Sequence, residues 1–318
     1  MSAESDRDEL APELVTFAPT LTGPGWARRA SDTLRWLTAS SAVDVRDERR
    51  LPALVAVTCV YAGLCGPRGA SQRATDLVAR FTLLFFLVDD ANEGELPDLL
   101  AEGASWSIGR YTSSLRTWLA EFPEQERAQP QLRERFAHAY HDYLAARRAE
   151  HGQVARPLGV SEHWEFRRRT IFMDPYLDLW MILLAIDLDA LAAASFAEAR
   201  ALAVDLVLLA NDLGSAERDA KGGASPDDLN LIHTYARVHH ETEAAAVERL
   251  IAHHNTLVER YRAAIAQGLA ERPGPHAANY AEILSGVVEG NVASVLALGF
   301  RYPGAAPVMQ RLASCRAT

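Results

Sequence analysis

The hydrophobic and polar positions along this chain read as helical throughout. Ala, Leu, Arg and Glu are abundant, and the Val/Ile/Thr alternation of strands is scarce. Breakers cut the pattern into helix-length pieces. The first runs up to Val43. Leu51 to Cys65 stops at Gly66-Pro67, and about Ala70 to Asp90 stops near Gly94. Trp106 to Phe122, Leu132 to His151 and Glu162 to Met173 follow, the last stopping or kinking at Asp174-Pro175. Tyr176 to Leu188, Ser195 to Lys221, Pro226 to Val238, Glu241 to Leu269 and His276 to Phe300 complete the set. The loops are short, and no repeat, low-complexity block or Gly/Ser-rich linker interrupts them. The expectation is one all-α domain over residues 1–318, a bundle of about ten to eleven helices, with loosely ordered ends near 1–14 and 304–318.

Composition narrows the function. The formal net charge is -10 with no basic block, so nucleic acid is an unsuitable partner. A polyanionic substrate would need metal ions or a few placed arginines. The acidic, polar start of the chain does not resemble a secretion signal. No apolar run approaches the ~20 residues that span a bilayer. Three cysteines, Cys59, Cys65 and Cys315, form no paired framework and suit a reducing, cytoplasmic setting. The histidines at 233, 239, 240, 253 and 254 form no HExxH site, and neither a Gly-rich phosphate loop nor a GxSxG elbow appears.

Two segments carry chemistry. In the first, the apolar run from Phe81 ends in Asp89, Asp90 and Glu93. On a helix, Asp89 and Glu93 stand at i and i+4 and share a face. Clustered carboxylates repel one another, and a hard divalent cation relieves that repulsion. An acidic helix end facing water is the alternative reading, although acids at a C-terminus oppose the helix dipole. In the second, Asn211, Ser215 and Asp219 fall at i, i+4 and i+8. They form a stripe of oxygen donors with Arg218 beside it.

Together the segments resemble the two metal motifs of class I terpene cyclases. Asp89, Asp90 and Glu93 match DDxx(D/E). Asn211, Asp212, Ser215, Arg218 and Asp219 match NDxxSxx(K/R)(E/D), with Asp219 in place of the commoner Glu. The resemblance implies an all-α fold in which the motifs face each other at the mouth of an apolar cavity and hold three magnesium ions. It extends to the run Phe166 to Pro175, which is similar to the family's diphosphate-sensing segment. There it implies Arg168 as sensor, Ile171 as linker and Phe172 as effector, with Arg169 as the fallback sensor. Phe172 departs from the family's usual Gly. Near the end, Gly290-Asn291 and the pair Arg301-Tyr302 resemble the C-terminal pattern that binds diphosphate, with Ser294 where Trp is common.

Arg168, Arg218, Arg301 and Tyr302 are then the diphosphate ligands, and Asp89, Glu93, Asn211, Ser215 and Asp219 the metal ligands. The resemblance also implies that Phe85 and Phe86, one turn before Asp89, line the cavity. Tyr61, Tyr176 and Trp180 are further wall candidates, or plain core aromatics. The implied reaction is magnesium-assisted ionisation of a linear isoprenyl diphosphate and cyclisation of the carbocation. Farnesyl diphosphate is the favoured substrate and geranylgeranyl diphosphate the alternative. A prenyl chain-elongating synthase is the runner-up, although the Asn/Ser/Asp form of the second motif argues against it. A helical partner-binding protein would leave both motifs unexplained. No membrane span is expected, and a homodimer is compatible with the sequence.

Overall fold

A computed structural model describes residues 24–39, 51–89, 118, 120–122, 129–152, 157–221 and 230–315. The α-helices are α1 (Pro24–Ala39), α2 (Leu51–Leu64), α3 (Gln72–Asp89), α4 (Pro130–Gly152), α5 (Val160–Thr170), α6 (Met173–Leu183), α7 (Ala194–Lys221), α8 (Leu231–His239), α9 (Glu243–Glu271), α10 (Pro275–Ala297) and α11 (Ala306–Met309). No strand occurs among the described residues. The all-α expectation holds.

Two compact units emerge. One holds α1, α2 up to Gly63, and α3; the other holds Leu64–Gly69 and everything from α4 onward. In the first unit, α2 is apolar on all sides, so Val55, Ala56, Val57, Cys59 and Val60 are buried together. Arg29 on α1 pairs with Asp76 on α3 at 3.1 Å. Trp118 stacks on Phe81 and donates its indole N–H to the carbonyl of Leu77 at 2.9 Å.

In the second unit α7 is central. Its Leu206, Val207, Leu208 and Leu209 are buried, and it packs against α9 and α10. Gly286 and Gly290, one turn apart on α10, let that helix ride directly on the backbone of the Leu64–Gly69 segment. A Cβ at Gly290 would stand 2.1 Å from the carbonyl oxygen of Leu64. Asp178 on α6 is fully buried, and its charge is met by Arg135 of α4 and Arg200 of α7. Opposed charges with several hydrogen bonds are what make such a burial tolerable.

One local expectation changes. The sequence places a stop at Asp174-Pro175, whereas α6 begins at Met173 and carries Pro175 in its first turn. A proline costs little there, because the first N–H groups of a helix have no intrahelical partner. The break falls instead at Ile171-Phe172. The tail from Gly304 is described to Cys315. It forms α11 and buries Met309 and Cys315. Asn255 accepts the Ala313 N–H at 2.8 Å, and Glu289 accepts from the Ser314 hydroxyl at 2.6 Å and from the Cys315 N–H. Satisfied backbone groups and two buried apolar side chains hold the tail down. The predicted helix Trp106 to Phe122 lies mostly outside the described residues.

Candidate active site

The last turns of α7 carry the second motif. Ser215 is buried, while Asn211 and Asp219 are half-buried. The Ser215 hydroxyl donates to Asp219 Oδ2 at 2.5 Å. Arg218 donates its Nε–H to Asp219 Oδ1 at 3.0 Å. The stripe predicted from the i, i+4, i+8 spacing is therefore present, and two of its three oxygen donors already touch.

Arg301 and Tyr302 reach the same place from beyond α10. The Arg218 guanidinium carbon lies 5.4 Å from the Tyr302 ring centroid, and that of Arg301 lies 6.0 Å away. Gly304 makes the approach possible. Its φ is 72°, and a Cβ there would stand 1.8 Å from the carboxylate of Glu217 on α7. Glycine adopts that left-handed conformation without strain. For Arg218, burial opposes the charge, as does the neighbouring Arg301. Tyr302 and Asp219 outweigh them, and its pKa lies above the usual arginine value. Two guanidinium groups thus face one tyrosine, with the Asp219 carboxylate on Arg218.

The three arginines of α5 part company. Arg167 points to the second motif: its Nη2 donates to Asp212 Oδ1 at 2.5 Å and to Asn211 Oδ1 at 3.4 Å. Arg168, the predicted sensor, donates to both oxygens of Asp205 at 2.6 and 2.7 Å and lies over the ring of Trp164. The Asp205 hydrogen bond raises its pKa further. Arg169, the fallback, is exposed. Successive residues on a helix diverge by about 100°, which separates these neighbours. Phe172, the predicted effector, sits at the α5–α6 break with φ of 65°, and its carbonyl accepts the Tyr176 N–H at 3.4 Å. A left-handed backbone is unusual for phenylalanine. The ring is buried edge-on against Tyr143, with centroids 4.8 Å apart, and that packing holds it.

The first motif is described only in part. Asp89 closes α3; its side chain, and all of Asp90 and Glu93, lie outside the described residues. Of the predicted wall aromatics, Tyr61, Phe85 and Phe86 gather in the first unit, with Phe86 5.5 Å from Tyr61 and 4.9 Å from Phe85. Tyr176 and Trp180 are buried in the second unit, and both donate to the carbonyl of Cys65, at 2.9 and 3.1 Å.

Four participants had not been singled out from the sequence: Arg167, Asp205, Asp212 as an ion-pair partner, and Asn230. Asn230 caps α8, its Oδ1 accepting the Ile232 N–H at 3.0 Å. Asn followed by an apolar run is a helix-start signal, but the predicted start at Pro226 obscured it.

Among the described residues, no three His, Cys, Asp or Glu side chains converge as a metal cluster. The stripe offers one carboxylate, one hydroxyl and one amide oxygen. That set fits a hard cation which also draws on phosphate oxygens and further carboxylates. It does not fit zinc, which favours nitrogen and sulfur ligands.

Residues 73–260 match the family model described as terpene synthase family 2, C-terminal metal binding. This chain belongs to that terpene synthase family. Solved structures agree on the fold. A linalool/nerolidol synthase from Streptomyces clavuligerus, in complex with 2-fluorogeranyl diphosphate, is 23% identical with a TM-score of 0.67, over 85% of this chain and 98% of that one. An SVS_A2 protein from ancestral sequence reconstruction is 16% identical with a TM-score of 0.70, over 91% and 94%. A single-substitution variant of a cucumene synthase is 20% identical with a TM-score of 0.65, over 88% and 97%. The comparison with curated proteins returns no match. No described helix is long and apolar enough to cross a membrane.

Proposed function

We propose that this protein is a magnesium-dependent class I terpene cyclase that ionises farnesyl diphosphate and closes the carbocation into a cyclic terpene. The reading rests on one observation above all. Ser215 and Asp219 lie toward the end of α7 with Arg218, which faces Tyr302 together with Arg301, and Asn211 precedes them on the same helix, all within one unit. Oxygen donors for a cation and cationic donors for phosphate thus meet at one helix end.

In this reading Asp89, Asp90 and Glu93 supply the remaining carboxylates, for three magnesium ions in all. Bound magnesium supplies Lewis-acid stabilisation of the departing diphosphate. Arg218 and Arg301 bind the phosphate oxygens through forked N–H donors, and the Tyr302 hydroxyl adds a third donor. Arg168, four residues before Phe172, is proposed as the diphosphate sensor, and the Phe172 carbonyl as the effector. Phe85, Phe86 and Tyr61 exclude water and offer aromatic faces to the carbocation, and Tyr176 and Trp180 are the further wall candidates. Geranylgeranyl diphosphate is the second substrate choice. Farnesyl diphosphate stands first because the family uses it most often.

The test is incubation of purified protein with magnesium and each of geranyl, farnesyl and geranylgeranyl diphosphate, followed by gas chromatography of a hexane extract. A cyclic product from the C15 substrate is expected, absent when a chelator is added. Asn211→Ala and Asp89→Ala should each cut product formation at least ~100-fold while melting like the parent, as expected when an ion that stabilises the leaving group is lost. Full turnover by either variant would end its metal assignment.

A further inference from the structure

Asp219 stands in the last turn of α7, where its negative charge opposes the helix dipole. Helix ends fray, and Asp is shorter by one methylene than the Glu that the family usually places here. A carboxylate so placed needs outside donors to hold its aim. Two come from its own helix, Ser215 and Arg218. The third comes from the start of the next helix.

That third donor is Asn230. Its Nδ2 group donates to Asp219 Oδ2 at 3.3 Å and to the carbonyl of Asp212 at 2.9 Å. With its Oδ1 on the Ile232 N–H, both N–H groups and the oxygen of the amide are engaged. The residue is 3% exposed, so a displaced amide would lose bonds that water could not replace. Its position is fixed from a second side as well. The Leu231 N–H donates to Asp212 Oδ2 at 2.9 Å, while Arg167 holds the other oxygen of that carboxylate. The start of α8 is thereby bolted to α7 through Asp212, and the Asn230 amide is presented to Asp219 at a set distance.

We infer that Asn230 is a positioning residue for the metal site, orienting Asp219 from behind so that its free lone pairs face the cation. The inference rests on the proposed function and extends it by one layer. Groups that orient a metal ligand typically contribute about 10–100-fold in metal affinity.

The decisive variant is Asn230→Ser. Serine keeps the cap acceptor for the Ile232 N–H but is too short to reach Asp219. Calorimetric titration of magnesium into full-length protein with saturating inorganic diphosphate measures the metal directly, without turnover. The variant should melt close to the parent in metal-free buffer yet bind magnesium about 10-fold or more weakly. Asn230→Gly, also an acceptable cap, should repeat the result. Unchanged magnesium affinity in a folded variant overturns the inference. Loss of folding in both variants also overturns it, because Asn230 would then be a structural cap alone. If the parent itself binds no magnesium with diphosphate, the proposed function fails instead.

Discussion

His254 on α9 is buried to 1% exposure, and its Nδ1 lies 3.2 Å from Asn255 Oδ1. Its Nε2 finds no hydrogen-bond partner among the described residues. Burial dominates its titration and takes its pKa from the usual 6.5 down to about 4. The Asn255 hydrogen bond and the Glu289 charge oppose it, and His253 adds a smaller push downward. The folded protein therefore keeps this imidazole neutral where the unfolded chain protonates it. Between pH 6.5 and about 4 the unfolded state binds the extra proton, so the stabilisation is complete above pH 6.5 and is lost as pH falls through that window. The contribution is on the order of 3 kcal/mol. Thermal midpoints compared between neutral and mildly acidic buffers should fall more steeply for the parent than for His254→Gln, and equal slopes would rule out the assignment. Residue-scale features like this one were poorly legible in the sequence, where His254 is only one of five histidines that form no HExxH site. The left-handed Phe172 was hidden for a similar reason. Glycine is the usual marker of positive φ, and here ring packing against Tyr143 supplies what composition does not advertise.

Helices were more legible, because apolar content and breakers act locally. The long α7 and α9 begin and end within two residues of their predicted bounds. The second motif was legible for the same reason: a fixed helical period turns Asn211, Ser215 and Asp219 into one stripe before any tertiary contact is known. Contacts between distant segments were not. Within the predicted helix His276 to Phe300, Gly290 was noted only as part of the Gly290-Asn291 pair, and the close approach that Gly286 and Gly290 allow appears only against the Leu64–Gly69 backbone. Replacing Gly290 with Ala drives a methyl group to 2.1 Å from the Leu64 oxygen and 2.4 Å from its carbonyl carbon. Both neighbours are backbone, so neither can rotate away. The helix-propensity gain of about 1 kcal/mol is outweighed by overpacking of about 3 kcal/mol or more. Gly290→Ala should lower the midpoint in a urea melt. Gly299→Ala, where a Cβ meets nothing within 4 Å, should be close to neutral. A neutral Gly290→Ala would mean that α10 does not lie on that segment.

At the scale of the molecule, a net charge of -10 must coexist with a substrate that carries a diphosphate. Three of the arginines near the second motif are already committed to carboxylates: Arg167 to Asp212, Arg168 to Asp205 and Arg218 to Asp219. Protein cations alone are then a weak anion trap, and the carboxylate of Asp219 is partly satisfied by its own arginine. At the second motif, magnesium alone must compete with Arg218 for Asp219, and diphosphate alone must compete with Asp219 for Arg218. Each supplies what the other lacks: the cation takes the carboxylate, and the anion takes the released guanidinium. Binding should therefore be strongly coupled between the two. A ligand present at about a hundredfold over its dissociation constant stabilises the folded chain by about 2.7 kcal/mol. For a protein of this size that is a rise in melting temperature on the order of 5 °C. Magnesium or inorganic diphosphate added singly should give a small fraction of that rise in a thermal scan, and the two together the whole. Asn211→Ala and Asp89→Ala should each cancel the joint shift. A shift that survives Asp89→Ala would confine the metal to the second motif, and a full shift from magnesium alone would refute the coupling.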